Sequence, residues 1–422
     1  MGNAAGIITP SIASLEYHCM MNFANFSSPT FFADPYPMYE KVRGAGALLP
    51  VGPNSLVTGR FEVIDALLRD RRMGKTYLQS VGARYGEAAT RHPVFQALSR
   101  TFLMMNPPSH TRLRTLLMKA FNARQIEKQR EIVEATSHDL LDRIGSRTEF
   151  DLVREYALPL PIEIICRLLD IPTAQGMELG VAASRLVSAF DLAPLDEAAL
   201  ATANEAALAL ERYFQKVVEQ RRASPGDDII SSLVSVEENG ATLSDDEIVS
   251  NVILLFIAGH ETTSNMIGNA IVALFRQPAQ LGALKREPAL IQKAVAECMR
   301  YDSSIQMVVR TALEEVVILD VTLARGTVVF MLIGAANRDP AVFSHPNQLD
   351  FNRGGNVPSL AFGGGIHYCL GARLALLEME VAIGGLLARF PDMQPVDLDQ
   401  LTWHPRNNLR GVQSLRMTTA AA

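Results

Sequence analysis

Phe362-Gly363-Gly364-Gly365-Ile366-His367-Tyr368-Cys369-Leu370-Gly371 places one cysteine at the end of a glycine-rich loop. A helical pattern follows at once, from about Leu370 to Phe390. Three successive glycines let the backbone turn tightly and lie close to a flat ligand, because no Cβ intrudes. The first N–H groups of the helix have no intrahelical partner, and its positive dipole end points back at the sulfur. That field favours thiolate over thiol. A thiolate beside a glycine floor is what an axial ligand of haem iron requires. Read for structure alone, the same residues make a glycine turn with a buried free cysteine.

The spacing of Phe362, Gly365, His367, Cys369 and Gly371 resembles the haem-binding signature of the cytochrome P450 family, the haem-thiolate monooxygenases. The resemblance implies a mainly α fold with small β-sheets. Haem b would lie between a long central helix and the helix after the cysteine loop, with Cys369 as the iron ligand.

Working outward, the next element is that central helix. Ser244-Asp245-Asp246-Glu247 forms a capping box, Ser244 as N-cap and Glu247 at the third helical position. The pattern runs to Arg276-Gln277-Pro278, where proline stops it. About 32 residues span roughly 48 Å, enough to cross the domain. Its middle reads Ala258-Gly259-His260-Glu261-Thr262-Thr263, with glycine and β-branched threonines at about 0.5–1 kcal/mol each against helix. Threonine hydroxyls can bond the carbonyl four residues back and open the helix. A kink without chemistry would read the same way. The acid-threonine pair resembles the family's oxygen-activating segment. In that resemblance Ala258 and Gly259 leave room over the iron, Thr262 holds dioxygen and a water, and Glu261 relays protons from solvent.

Three further elements follow the family's order. Glu297-Cys298-Met299-Arg300 puts Glu297 and Arg300 on one helix face. With Arg353 of Asp350-Phe351-Asn352-Arg353, the resemblance makes them a structural network bracing the haem loop. In Pro107-Pro108-Ser109-His110-Thr111-Arg112-Leu113-Arg114, His110 and Arg114 share a face. Together with Arg310 and His367 they are implied to hold the haem propionates. Asn106 stands where relatives often carry an acid, a change expected to alter a local cap.

The chain has 422 residues, 48% hydrophobic and 20% charged, which describes an ordinary globular protein. A net charge of −6 argues against a nucleic-acid partner. Cys19, Cys166, Cys298 and Cys369 show no paired spacing and no haem-attachment motif, as in a reducing cytoplasm. No stretch approaches the roughly 20 apolar residues of a membrane span. Residues 1–20 read as a disordered extension and 21–422 as one domain, resembling a soluble, monomeric bacterial member with no membrane anchor. A short helix is expected at 36–43, a hairpin over 47–59 and a helix over 61–70. Residues 71–105 read as one long irregular connection, 110–276 as mostly helical, 315–333 as strand-like and 337–368 as extended meander.

The resemblance implies a monooxygenase that places one atom of dioxygen in an apolar substrate. Electrons would come from a ferredoxin and its reductase; Arg112, Lys119, Arg124 and Arg373 read equally as a docking patch for an acidic partner or as ordinary surface charge. Leu103, Met104, Met105, Leu254, Met307, Val308 and Val309 suggest an apolar, adaptable pocket, under a lid from Ala183 to Leu195. The chain's style looks most like members that tailor polyketides or macrolides as secondary metabolites. Terpene or fatty-acid hydroxylation stays open. So do a peroxygenase and a non-enzymatic haem protein on the same fold, against which Glu261-Thr262 argues.

Overall fold

The computed structural model describes residues 21–120, 123–238, 240–354 and 358–419, without the side chains of 123–128. The extension expected at 1–20 lies outside the described residues. The fold is mainly α with small sheets, as expected.

Its axis is the helix Asp245–Phe275, 31 residues long. Ser244 Oγ accepts from Glu247 N, and the Glu247 carboxylate accepts from Ser244 N, so the capping box forms at the anticipated residues. Pro278 begins the next helix, Pro278–Arg286. The central helix is apolar around most of its circumference, which suits an element packed on all sides. Helices Pro159–Leu168, Thr173–Val187, Glu197–Ala223, Ile291–Tyr301 and Ala372–Arg389 pack against it.

The strands are β1 (Leu49–Gly52), β2 (Ser55–Thr58), β3 (Met73–Gly74), β4 (Glu149–Asp151), β5 (Met307–Ala312), β6 (Val316–Ile318), β7 (Val321–Leu323), β8 (Val328–Leu332), β9 (Gln394–Pro395) and β10 (Arg416–Thr418). The largest sheet has the order β1-β2-β8-β5-β3. β1 and β2 are the expected hairpin, and β2 runs parallel to β8. β5 lies antiparallel to both β8 and β3.

Residues 71–105 differ from expectation. They hold β3 and helices Tyr77–Tyr85 and Pro93–Ser99, with 3-10 turns Glu87–Arg91 and Phe102–Met104. Gly86, at φ +88°, and Pro93 cut the segment into pieces too short to show a period. The presumed lid is the end of helix Thr173–Val187, a 3-10 turn and a connection. It is tied to the Tyr77–Tyr85 helix: Arg84 donates to the Asp191 carbonyl at 2.6 Å, and Leu195 N donates to Tyr85 Oη at 2.9 Å. Among the described residues, no helix is long and apolar enough to cross a membrane.

Candidate active site

In the cysteine loop, Gly363 (φ +70°) and Gly365 (φ +62°) occupy the left-handed region. A Cβ on Gly365 would lie 2.0 Å from the Leu68 carbonyl oxygen. The glycine at 365 is therefore required by close approach to the C-terminal end of helix Phe61–Arg69, its own chain, besides any ligand. Gly365→Ala is expected to cost at least about 1–2 kcal/mol from the backbone alone, read as a lower thermal midpoint. An unchanged midpoint would show that the loop can lift off Leu68.

Cys369 N donates to the Phe362 carbonyl at 3.0 Å, closing the loop on itself. Cys369 is half-buried. Burial pushes its thiol up, against a downward pull from the Gly371 N–H and Arg114. The Gly371 N–H and Arg114 thus act in the direction expected of the helix field, with burial opposing them. A bound metal cation reverses that balance, because a coordinating thiol is deprotonated outright.

The central helix opens at one place. Ala258 is exposed, and Gly259 and Thr262 are half-exposed, while Phe256, Ile257, His260, Glu261 and Thr263 are buried. Ala258 and Thr262 are four apart and share a face. Thr262 Oγ1 donates to the Ala258 carbonyl at 2.8 Å. The helix stays unbroken despite this bond, and the poor helix formers coincide with an exposed stretch of its face. His260 turns inward, its Nδ1 at 2.7 Å from the Phe256 carbonyl.

Glu261 does not share the Thr262 face, since successive helical residues are about 100° apart. Its carboxylate is buried and pairs with Arg406 at 3.3 Å, and Arg406 donates to Ser184 Oγ at 3.1 Å. Glu261, the expected relay of protons from solvent, is paired here with a guanidinium from the C-terminal loop. Arg406 lies 145 positions away, and no motif marks it.

His110, Arg114, Arg310 and His367 converge. The imidazole centroids of His110 and His367 are 4.3 Å apart. Among the described residues, neither ring nitrogen of either histidine has a hydrogen-bond partner, nor does Arg114 Nη1. Arg114 Nη2 donates to the Tyr368 carbonyl at 2.7 Å. Arg310 is 5% exposed, and among the described residues its side chain donates only to the carbonyl of Val309. Burial lowers Arg310 to about 10. Burial first, then Arg114 and Arg310, lowers His110 to about 4. His367 falls to about 2 by burial, then Arg310, Lys75, His110 and Arg114. Buried polar groups are normally paired. Donors gathered without acceptors fit a ligand bearing carboxylates, and the pair of haem propionates meets that requirement.

The Asn106 carbonyl accepts from His110 N at 3.0 Å, at the start of helix Ser109–Ala120, while its side chain turns to Lys75. Its Oδ1 accepts from Lys75 N and its Nδ2 donates to the Lys75 carbonyl, both at 2.8 Å.

The three residues of the expected network come together. Glu297 meets Arg300 at 2.8 Å and Arg353 at 2.9 Å, with all three side chains at most 10% exposed. Arg300 also holds the carbonyls of Asn337, Pro346 and Gln348. Arg353 holds those of Ser344 and Gln348. Local i,i+3 spacing found the first pair; the carbonyl contacts left no mark in the sequence.

The apolar pocket set divides. Leu103 and Met104 are half-buried in the 3-10 turn, and Leu254 is buried on the central helix. Met307 pairs with Leu332 and Val309 with Phe330, whereas Val308 pairs with Met331 on the opposite face. Period-two alternation thus prevents three successive residues of β5 from lining one wall. Met307 packs with Phe26, Phe31, Val51 and Val57.

In the expected docking patch, Arg112 is paired with Glu247 and Lys119 with Glu238. The Arg124 side chain lies outside the described residues. Arg373 is exposed.

The family model described as Cytochrome P450 matches residues 175–403. The chain is 47% identical to the protein named cytochrome P450 133B1 of Xylella fastidiosa, over 94% of this chain and 98% of that one. It is 35% identical to the polyketide biosynthesis cytochrome P450 PksS of Bacillus subtilis, covering 86% and 88% of the two chains. The crystal structure of P450BioI with an acyl carrier protein bearing hexadec-9Z-enoic acid superposes with a TM-score of 0.86 at 33% identity, over 92% of this chain and 99% of that one. These likenesses establish that the protein belongs to the cytochrome P450 family of haem-dependent monooxygenases.

Proposed function

We propose that the protein hydroxylates or epoxidises an apolar organic substrate of the polyketide or macrolide type, with haem b as its cofactor. The observation that carries the reading is the exposed face of the central helix at Ala258 and Thr262. Leu103, Met104, Leu254 and one face of β5, through Val308 or Val309, are the candidates for substrate contact. The likeness to PksS supports a polyketide substrate. The likeness to P450BioI supports the second reading, a fatty-acyl substrate. A binding screen that follows the haem spectrum separates the two.

Haem supplies oxidising chemistry when bound, and its thiolate ligand favours O–O cleavage. Cys369 would hold the iron, Phe362, Gly365 and Gly371 would shape its loop, and His110, Arg114, Arg310 and His367 would hold the carboxylates. The absence of a CxxCH attachment motif supports a non-covalent haem. Thr262 donates to Ala258, which leaves its oxygen lone pairs free to accept from a water or a reacting hydroxyl. Glu261 can carry protons only when Arg406 releases its carboxylate. Electrons come from a separate ferredoxin and reductase. Arg373, with exposed Met118 and Tyr368, supports docking near the cysteine loop. Free, buried Cys166 and Cys298 support a cytoplasmic setting, in which the protein acts as a monomer.

Thr262→Ala tests the reading. It should fold, bind haem and consume reductant and oxygen. Product per reductant should fall about tenfold or more, as for loss of the group that positions a proton-donating water, with peroxide rising. Unchanged coupling would reduce Thr262 to a structural residue and favour a peroxygenase.

A further inference from the structure

Lys75 is held with unusual completeness for a lysine. It directly follows β3, whose register pairs Met73 with Ala312 and Gly74 with Thr311. Continued by one residue, that register sets Lys75 beside Arg310. The hydroxyls of Thr76 and Thr311, 2.8 Å apart, keep the two strands together past the last ladder pair. From the other side, the Asn106 amide grips both the N–H and the carbonyl of Lys75. A Cβ on Gly74 would lie 2.5 Å from Asn106 Oδ1, so a glycine there admits the amide.

The ammonium reached by this scaffold has poor company. Its hydrogen bond is to the Val309 carbonyl at 3.2 Å. Burial, then Arg310, lowers its pKa well below that of a free lysine. Lys75 also acts on His367, alongside Arg310, His110 and Arg114. Five donors therefore face one region, and among the described residues no carboxylate pairs with Lys75, Arg114 or Arg310. Gathered like charges are costly unless a ligand compensates them.

We propose that Lys75, positioned by Asn106, is a further ligand of the haem carboxylates and makes their pocket net positive. Two carboxylates against the three cations Lys75, Arg114 and Arg310 leave at least one positive charge in excess. An excess positive charge favours the reduced cofactor. The inference rests on the placement of the carboxylates among His110, Arg114, Arg310 and His367.

The test uses the haem-loaded protein. Lys75→Met should speed haem transfer to excess apomyoglobin about tenfold or more, as for loss of a charge-assisted hydrogen bond. It should lower the reduction potential and leave the thiolate spectrum of the bound fraction unchanged. Lys75→Arg should restore most of both properties. Faster haem loss with an unchanged potential would mean a purely structural lysine and overturn the proposal, as would an unchanged transfer rate. Arg310→Ala is measured in parallel. If it too leaves haem transfer unchanged, the carboxylate pocket itself is misplaced; if only Lys75→Met is silent, the failure belongs to Lys75.

Discussion

Cys369→Ala is expected to abolish the red-shifted Soret band that thiolate-ligated haem gives when reduced and exposed to carbon monoxide. Neither of the other described cysteines can substitute. Cys166 is buried, and burial, with Glu163 adding, pushes its thiol up to about 12. Cys298 is fully buried in the helix Ile291–Tyr301, and its thiol is pushed up mainly by burial. Cys369 alone of the three is half-buried, with the Gly371 N–H and Arg114 drawing its proton affinity down against burial. Cys166→Ala and Cys298→Ala should therefore keep the band. A Cys369→Ala protein with an unchanged spectrum would remove the cysteine loop from the iron.

What could be read in the sequence was local. The capping box at Ser244 and Glu247, the Glu297–Arg300 pair and the cysteine loop each depend on residues within one or two turns, and each forms where its pattern stood. Groups brought together by the chain's return had no such mark. Arg406 reaches Glu261 from another part of the fold, and Lys75 reaches Asn106 across 31 positions. Short elements were also hidden. The helices Tyr77–Tyr85 and Pro93–Ser99 give too few turns for a period to emerge. Met307, Val308 and Val309 looked like one apolar wall because composition is blind to the alternation of a strand. Gly365 was legible as a glycine that matters, but the reason proved to be the backbone at Leu68.

Glu297→Ala is expected to give the largest loss of folding stability, about 3–5 kcal/mol, because removing one partner of a buried ion pair leaves the other charge uncompensated. Here two charges are left. Arg300 and Arg353 share this one carboxylate, and Asp350 N also donates to it, at 3.0 Å. Backbone carbonyls at Asn337, Ser344, Pro346 and Gln348 would remain around the guanidiniums, but carbonyl dipoles offset only part of two buried cations. Those same carbonyls belong to the segment that leads into the cysteine loop, and Asn337 Oδ1 accepts from Leu360 N at 2.7 Å near its end. Loosening the arginines should therefore free the segment and reach Cys369. The expected result is insoluble protein, or soluble protein that purifies without haem and unfolds at lower urea. Glu297→Gln should fall between, since the amide oxygen still accepts while the charge is gone. Arg300→Ala, which keeps the Glu297–Arg353 contact, should be milder than Glu297→Ala. A soluble, haem-loaded Glu297→Ala protein with an unchanged urea midpoint would show that the carbonyls alone hold both arginines, and that the carboxylate does not brace the loop.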